Sequence, residues 1–544
     1  MSIPPQAGDK VAGEIDPTAL ISSAGFRLAF ATGFTAFLAL GNPASAAVVV
    51  SYAATSNMAC AAGVCTATAF DAVLNMKQLH AMLASGNAKI ATGTATNKIR
   101  IASPLSWASA NTLTLDSSGS IRISAPVTVT GPGGVSLVTN DGGTGGDLSF
   151  APKGNLTFWD MSSALTINGS TYTLVNNIAT MASDANANWW TNLALANDYN
   201  AKPDGTYSDA PVSTLWGNFE GLGHTISNLS VVGSGEPAAL IAFGENVENF
   251  SLANVHVVGS GSEGVGGLVA NGGNISNVTV TGYVEGDGPN AWTGFIAGVG
   301  GMMRNVHASG HLVINGGGSA GGLVGDNLGT ISRSSAHVEI TGDGGGVGGL
   351  VSLNERGTIE DSFATGSVSG VYYVGGLVGY NCAQILRSYA TGAATSTGTG
   401  QYAAVGGFAG ANAPARQTDS PKIVDSYATG TVRGGTTAGG FVGESQSPIK
   451  DSYATGKVLG ASVKGGFVGD DTSTHGIIDS YWDTTRGIVN TSRGAGNIAN
   501  DPGIQGLTTL RLQSALPSGF STNVWGENPS VNGGLPYLLA LPPQ

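Results

Sequence analysis

"VGGLVGYNCAQILRSYATG" runs from Val374 to Gly392, and close variants of it recur along the second half of the chain. The pentapeptide inside it returns as "AALIA" at Ala238, "GGLVA" at Gly266, "TGFIA" at Thr293, "GGLVG" at Gly321 and "GGLVS" at Gly348. It continues as "GGLVG" at Gly375, "GGFAG" at Gly406 and "GGFVG" at Gly439 and Gly465. The steps are 28, 27, 28, 27, 27, 31, 33 and 26 residues. The two long steps carry "TSTGTGQY" (395–402) and "ANAPARQTDSPK" (411–422), polar or proline-bearing insertions that belong in surface loops.

A period near 27 built from short β-branched runs and glycine is not a helical repeat, because no 3.6-residue apolar pattern accompanies it. One such unit cannot bury its own apolar face, so units must stack, each coil about 4.8 Å above the last. The fold expected is all-β, a parallel β-helix (solenoid) with a short N-terminal amphipathic helix cap. Leu268, Phe295, Leu323, Leu350, Leu377, Phe408, Phe441 and Phe467 should form one core column. Glycine at fixed places is expected to serve corners of positive φ and close coil-to-coil approach.

A second line follows each pentapeptide. Its pivot is Asn254, Asn277 and Asn305, then Ser334, Ser362, Ser388, Ser426, Ser452 and Ser480, sharpening to "DSYATG". The residue before this pivot is Arg304, Arg333, Asp361, Arg387, Asp425, Asp451 and Asp479. Stacked acids either cap turns through backbone N–H groups, hold Ca²⁺ in a column, or form a sugar-binding strip. Tyr389, Tyr427, Tyr453 and Tyr481 should stack beside them. That ladder is packing or, with Asp425, Asp451 and Asp479, an exposed ligand-binding surface.

Composition narrows the partners. The 544 residues include 86 glycines, 10% charged and 41% hydrophobic residues, with net charge −13. This balance argues against nucleic acid or an anionic membrane surface. Arg27, "LAFATGFTAFLAL" (28–40), Pro43 and "ASA" (44–46) read as an export signal cut before Ala47, too short to span a bilayer core of about 30 Å. It follows an unusually long acidic stretch with Asp9, Glu14 and Asp16, so either the start lies further downstream or the signal is of an extended type. Cys60 and Cys65 in "CAAGVC" either close a small disulfide loop or remain two buried thiols, and Cys382 is a core-sized side chain.

The divisions expected are 1–46 export signal, 47–99 cap with a helix over 69–86, 100–218 irregular coils, 219–482 repeat array, and 483–544 C-terminal cap. The helix stripe is Phe70, Val73, Leu74, Met82 and Leu83, stopped by Gly86.

"GGLVGYN…RSYATG" and "GGFVGES…DSYATG" resemble the GLUG motif of filamentous-haemagglutinin-like exoproteins and of some bacterial IgA-cleaving metallopeptidases. "FEGLGHTISNLSV" (219–231) resembles the opening of such arrays, and "DSYWDTT" with "VWGENPSVNGGLPYLL" resembles their tail. The resemblance implies a secreted or surface-held right-handed β-helix, often an adhesin, at the outer surface of a Gram-negative bacterium. The Asn-Pro motifs of two-partner exoproteins do not occur after the signal, and no autotransporter barrel is legible in the roughly 60 residues after the last repeat. A separate outer-membrane transporter is one export route.

Catalytic motifs fail on context. No histidine pair has the H-E-x-x-H spacing on a helix. His307 and His311 lie on a strand and turn, where that spacing does not converge two imidazoles. "GGSAG" (317–321) and "GSGSEG" (259–264) are chance matches in a glycine-rich chain, and "GGTGGDLSF" (142–150) places its aliphatic one residue early for a calcium nonapeptide. No catalytic, cofactor or metal residue is assigned, no membrane span is expected, and the partner expected is a surface glycan or protein receptor. A β-helical polysaccharide lyase or hydrolase is the alternative and would need acids converging within about 10 Å; a passive spacer is the third.

Overall fold

The computed structural model describes residues 47–235, 237–260, 264–289, 291–486 and 493–543. The expected export signal lies outside the described residues. The chain is half strand and forms a parallel β-solenoid of about 17 turns. Among the described residues no helix is long and apolar enough to cross a membrane.

Each repeat gives one coil. Val269, Ala297, Val324, Val351, Val378, Ala409, Val442 and Val468 are successive partners in one parallel sheet. An eight-stranded sheet from Val265–Gly266 to Val463–Gly465 forms a second wall. A third wall stacks Ile275, Met303, Ile331, Ile359, Ile385, Ile423, Ile449 and Ile477. The expected Leu/Phe column is wholly buried from Leu268 to Phe467. Phe408, Phe441 and Phe467 stack with centroids 4.6 and 4.8 Å apart, the offset-parallel geometry that the coil rise imposes.

Of the two uses expected of glycine inside the motif, close coil-to-coil approach holds and the positive-φ corner does not. A Cβ on Gly348 would lie 1.8 Å from Val351 O, and one on Gly349 would lie 2.0 Å from Gly376 O. The pair is required by close approach, not by positive φ. The left-handed corner falls instead on Asn277 (φ 54°), Asn305 (φ 55°), Arg333 (φ 51°), Asp361 (φ 47°), Arg387 (φ 45°), Asp425 (φ 52°), Asp451 (φ 50°) and Asp479 (φ 45°).

The helix expected over 69–86 is shorter. Val73–Asn75 is a strand, Asn75 accepts from Lys77 N at 2.9 Å as N-cap, and helix α1 spans Met76–Ser85 with Met76, Leu79 and Leu83 buried. Phe70 is exposed. A second helix, α2 (Ile178–Ala187), buries Ile178, Met181 and Ala185. These three residues join the core of the repeat array, while α1 joins a separate core over the N-terminal coils. Cys60 and Cys65 form a disulfide across the hairpin of Met58–Ala61 and Val64–Ala67, and Cys382 is free and buried.

After the last repeat, Ser480–Asp483 pairs with Ile504–Leu507. The tail then turns back along the flank of the last coils, where Trp525 Nε1 donates to Asp425 Oδ1 at 2.9 Å.

Candidate functional site

The tyrosine ladder is present but closed. Tyr389 and Tyr427 stack at 4.8 Å, and Tyr427 and Tyr453 at 5.1 Å. All four rings, from Tyr389 to Tyr481, are buried. The tail supplies the cover: Phe520, Trp525 and Leu538 join the ladder in one apolar cluster. Tyr453 OH donates to Pro536 O at 2.6 Å and Tyr481 OH to Ser518 O at 2.8 Å. Of the two readings of this ladder the packing one holds, and Tyr389, Tyr427, Tyr453 and Tyr481 offer no exposed ligand-binding surface.

The acids beside it are also corners first. Asp425 accepts from Trp525, and Gly519 of the tail lies so close to Asp451 and Asp479 that a Cβ there would fall within 2.9 Å of each. Burial, followed by Asp425 among the nearby charges, raises the Asp451 carboxyl above its ordinary range, with Lys450 opposing. The column is not purely acidic, since Arg387 bonds Asp361 at 2.7 Å and Glu360 at 2.9 Å. Among the described residues no group of three His, Cys, Asp or Glu is disposed to hold a metal ion. His307 faces Ser335 Oγ at 2.8 Å while His311 pairs with Glu339 at 3.2 Å, so the two imidazoles do not converge. Ser319 of "GGSAG" sits in the strand Ser319–Gly321, not at a strand-to-helix turn.

An open aromatic and charged strip lies elsewhere, where both insertions leave the rod. Gly346 pairs with Tyr372 but Val347 pairs with Val374, so Tyr373 is one residue too many for its partner strand. It adopts φ 42°. Such a bulge re-aims a side chain. Tyr373 meets Tyr380 edge-on at 5.0 Å and Tyr402 of the first insertion at 5.8 Å; Tyr372 meets Tyr402 at 6.5 Å. Tyr402 is 41% exposed and the other three are half-buried. Burial raises the Tyr373 phenol, and the nearby Glu444 adds to the effect.

Tyr380 stands in the outward register Asp326, Leu353, Tyr380, Ala411, Glu444 and Asp470. Beyond it the second insertion encloses a groove of about 420 Å³ lined by Glu355, Arg356, Thr358, Gln384, Arg416 and Asp419. Asp419 braces that loop by accepting from Arg416 N at 2.8 Å and Ala415 N at 3.1 Å. Arg416 pairs with Glu355. Asp326, beside Glu355, is buried and pushed up to about 7, by burial first and then by the Glu355 charge; its Oδ1 has no partner among the described residues. The Cys382 thiol at the groove wall is pushed up to about 12 by burial, which removes it as a nucleophile.

Residues 343–369 match the family model described as the GLUG motif. They make up one coil, carrying Leu350 in the core, Asp361 at the left-handed corner and Ser362 beside it. No curated protein matches the chain. Among solved structures, the crystal structure of a "putative immunoglobulin A1 protease" from Bacteroides ovatus is 16% identical, covering 68% of this chain and 92% of that one, with a TM-score of 0.29. A structure described as "IgA1 Protease" is 17% identical over 60% of this chain, with a TM-score of 0.24, and this chain spans 20% of its length.

Proposed function

We infer that the chain is an exported, non-enzymatic rod that acts as an adhesin at the outer surface of a Gram-negative cell, binding a glycan or protein receptor. The observation that carries this reading is the tyrosine strip. A bulge and two insertions, none of which the solenoid requires, bring Tyr372, Tyr373, Tyr380 and Tyr402 together beside a polar groove. Rings of this kind offer large rigid contact area at small entropic cost, and neighbouring acids and Arg416 supply directional hydrogen bonds for hydroxyl-rich ligands. Loops raised on a rigid scaffold are where recognition concentrates.

A second reading, a carbohydrate-active enzyme, draws on the adjacent carboxyls of Asp326 and Glu355. Their contact leaves no room for a sugar between them, whereas glycosidic carboxyls stand at least about 5 Å apart. The test is the full chain against glycans, whole cells and abiotic surfaces, with a parallel assay for polysaccharide shortening. The expected result is saturable binding without cleavage, weakened about tenfold or more by Tyr402→Ala or Arg416→Ala. Shortened polysaccharide that depends on Glu355 would establish the enzyme instead.

A further inference from the structure

A second groove, of about 610 Å³, lies between the last repeats and the returning tail. Its charged side chains are Arg433, Lys457 and Arg486, and Thr429, Thr431 and Thr455 stand among them. Among the described residues no carboxylate lines it, in a chain with 35 acidic and 22 basic residues. None of the three cations is ion-paired among the described residues. Three unneutralised cations facing one concavity repel one another, so their grouping is an electrostatic cost to the bare fold.

The repeat itself makes the grouping informative. Ser369, Thr395, Arg433 and Leu459 are register partners in successive coils. Two residues earlier the same coils carry Ser367, Ala393, Thr431 and Lys457. In earlier coils these two outward registers hold Glu285, Val313 and Thr341, and Tyr283, His311 and Glu339, and lysine or arginine occupies them only beside the tail. Coil geometry therefore tolerates Arg433 and Lys457 without requiring them.

We propose that this groove binds a carboxylate-bearing polysaccharide, a chain of uronate residues. Each coil pairs a cation with a hydroxyl: Thr431 stands two residues from Arg433, and Thr455 two residues from Lys457. A uronate sugar carries a carboxylate and hydroxyls on every ring, and two adjacent coils about 4.8 Å apart each offer such a pair, offset by two residues along the strand. Guanidinium groups take carboxylate oxygens in a fork. The lining contains no aromatic ring on which a nucleobase would stack, and the net charge of −13 opposes anionic membranes. The tyrosine strip is lined by other residues, so the two sites stand or fall separately.

The experiment titrates the full chain with polygalacturonate, its methyl-esterified form, sulfated dextran, single-stranded DNA and phosphatidylserine vesicles. Polygalacturonate should bind, bind more weakly as salt rises, and lose its binding on esterification. Arg433→Gln with Lys457→Gln should weaken binding about tenfold or more, without lowering the melting temperature. Lys98→Gln with Arg122→Gln, on the N-terminal coils, should leave it unchanged, as should Tyr402→Ala in the strip. Equal binding by the Arg433/Lys457 variant, or of the esterified polymer, overturns the proposal. So does absence of polygalacturonate binding, or a clear preference for sulfated dextran, DNA or vesicles.

Discussion

The left-handed corner recurs once per coil, and it constrains which side chains can stand there. Asparagine and aspartate tolerate φ near 50° because a short polar side chain compensates locally, whereas a β-branched residue clashes. Asp451 is the sharpest test, being buried, with an Oδ1 that lacks a partner among the described residues. Asp451→Val should lower unfolding free energy by about 1–3 kcal/mol, and Asp451→Asn should not. The carboxyl is held above its ordinary range by burial. The unfolded chain therefore releases this proton first, and the folded chain holds the extra proton between the two titrations. Stability must then fall as pH rises through that window. Melting Asp451→Asn beside the unchanged chain from acid to neutral pH should show a flatter profile for the variant; parallel profiles would refute the assignment. The "DSY" spacing made this column visible in the sequence, but the early coils slip by one. Asn305 pairs in register with Arg333 and Val306 with Ser334, so Arg304 lies outside the column. Serine replaces valine there because its hydroxyl accepts the N–H of the coil before, as in Val306 N to Ser334 Oγ at 3.1 Å, a substitution that hydropathy does not reveal.

Between coils, the element that binds turn to turn is a buried asparagine ladder. Asn327, Asn354, Asn381 and Asn412 are fully buried, and each of the first three donates its side-chain amide to the next one's side-chain oxygen at 2.8 Å, while Asn412 donates to Ser445 Oγ at 3.3 Å. Asn381 also donates to Ala383 O at 2.9 Å. Truncating one rung strands its neighbours, so Asn381→Ala should cost about 2–4 kcal/mol, more than the lost bonds alone, because each orphaned buried amide pays its desolvation. A denaturant titration of that variant would check it, and a midpoint within error of the parent would contradict it. The signal was in the sequence, an asparagine two residues beyond the motif in "GGLVGDN", "GGLVSLN", "GGLVGYN" and "GGFAGAN". It is overlooked when only apolar columns are counted. The helices were less legible. Val73 and Leu74 alternate as strand residues before α1, and "IATMASDANA" of α2 has too few large apolar residues to mark a stripe. The strip of Tyr372, Tyr373, Tyr380 and Tyr402 was not readable, because a bulge is a mismatch between two strands and no single repeat displays it.

A solenoid is held by nearest neighbours, so its ends decide whether it stays soluble and which part opens first. At the C-terminal end the returning tail covers a ladder of aromatic rings that would otherwise form an exposed apolar flank. Trp525 anchors that cover. It is 1% exposed, lies 6.1 Å from Tyr427, 5.9 Å from Tyr453 and 4.4 Å from Phe520, and reaches Asp425 through its indole N–H. Trp525→Ala removes the ring and leaves a cavity, which should cost about 3–5 kcal/mol. The loss should stay local, because coils far from the tail share no contact with it. Limited proteolysis should then cut the variant first after residue 507, releasing the tail while the N-terminal coils resist. The uncovered tyrosines should bind a hydrophobic dye and drive self-association. Trp525→Phe, which keeps most of the ring contact and loses only the bond to Asp425, should restore most of the resistance. If Trp525→Ala instead unfolded the whole rod in one step, the coils would be coupled far beyond their neighbours, and the one-dimensional description of this molecule would fail.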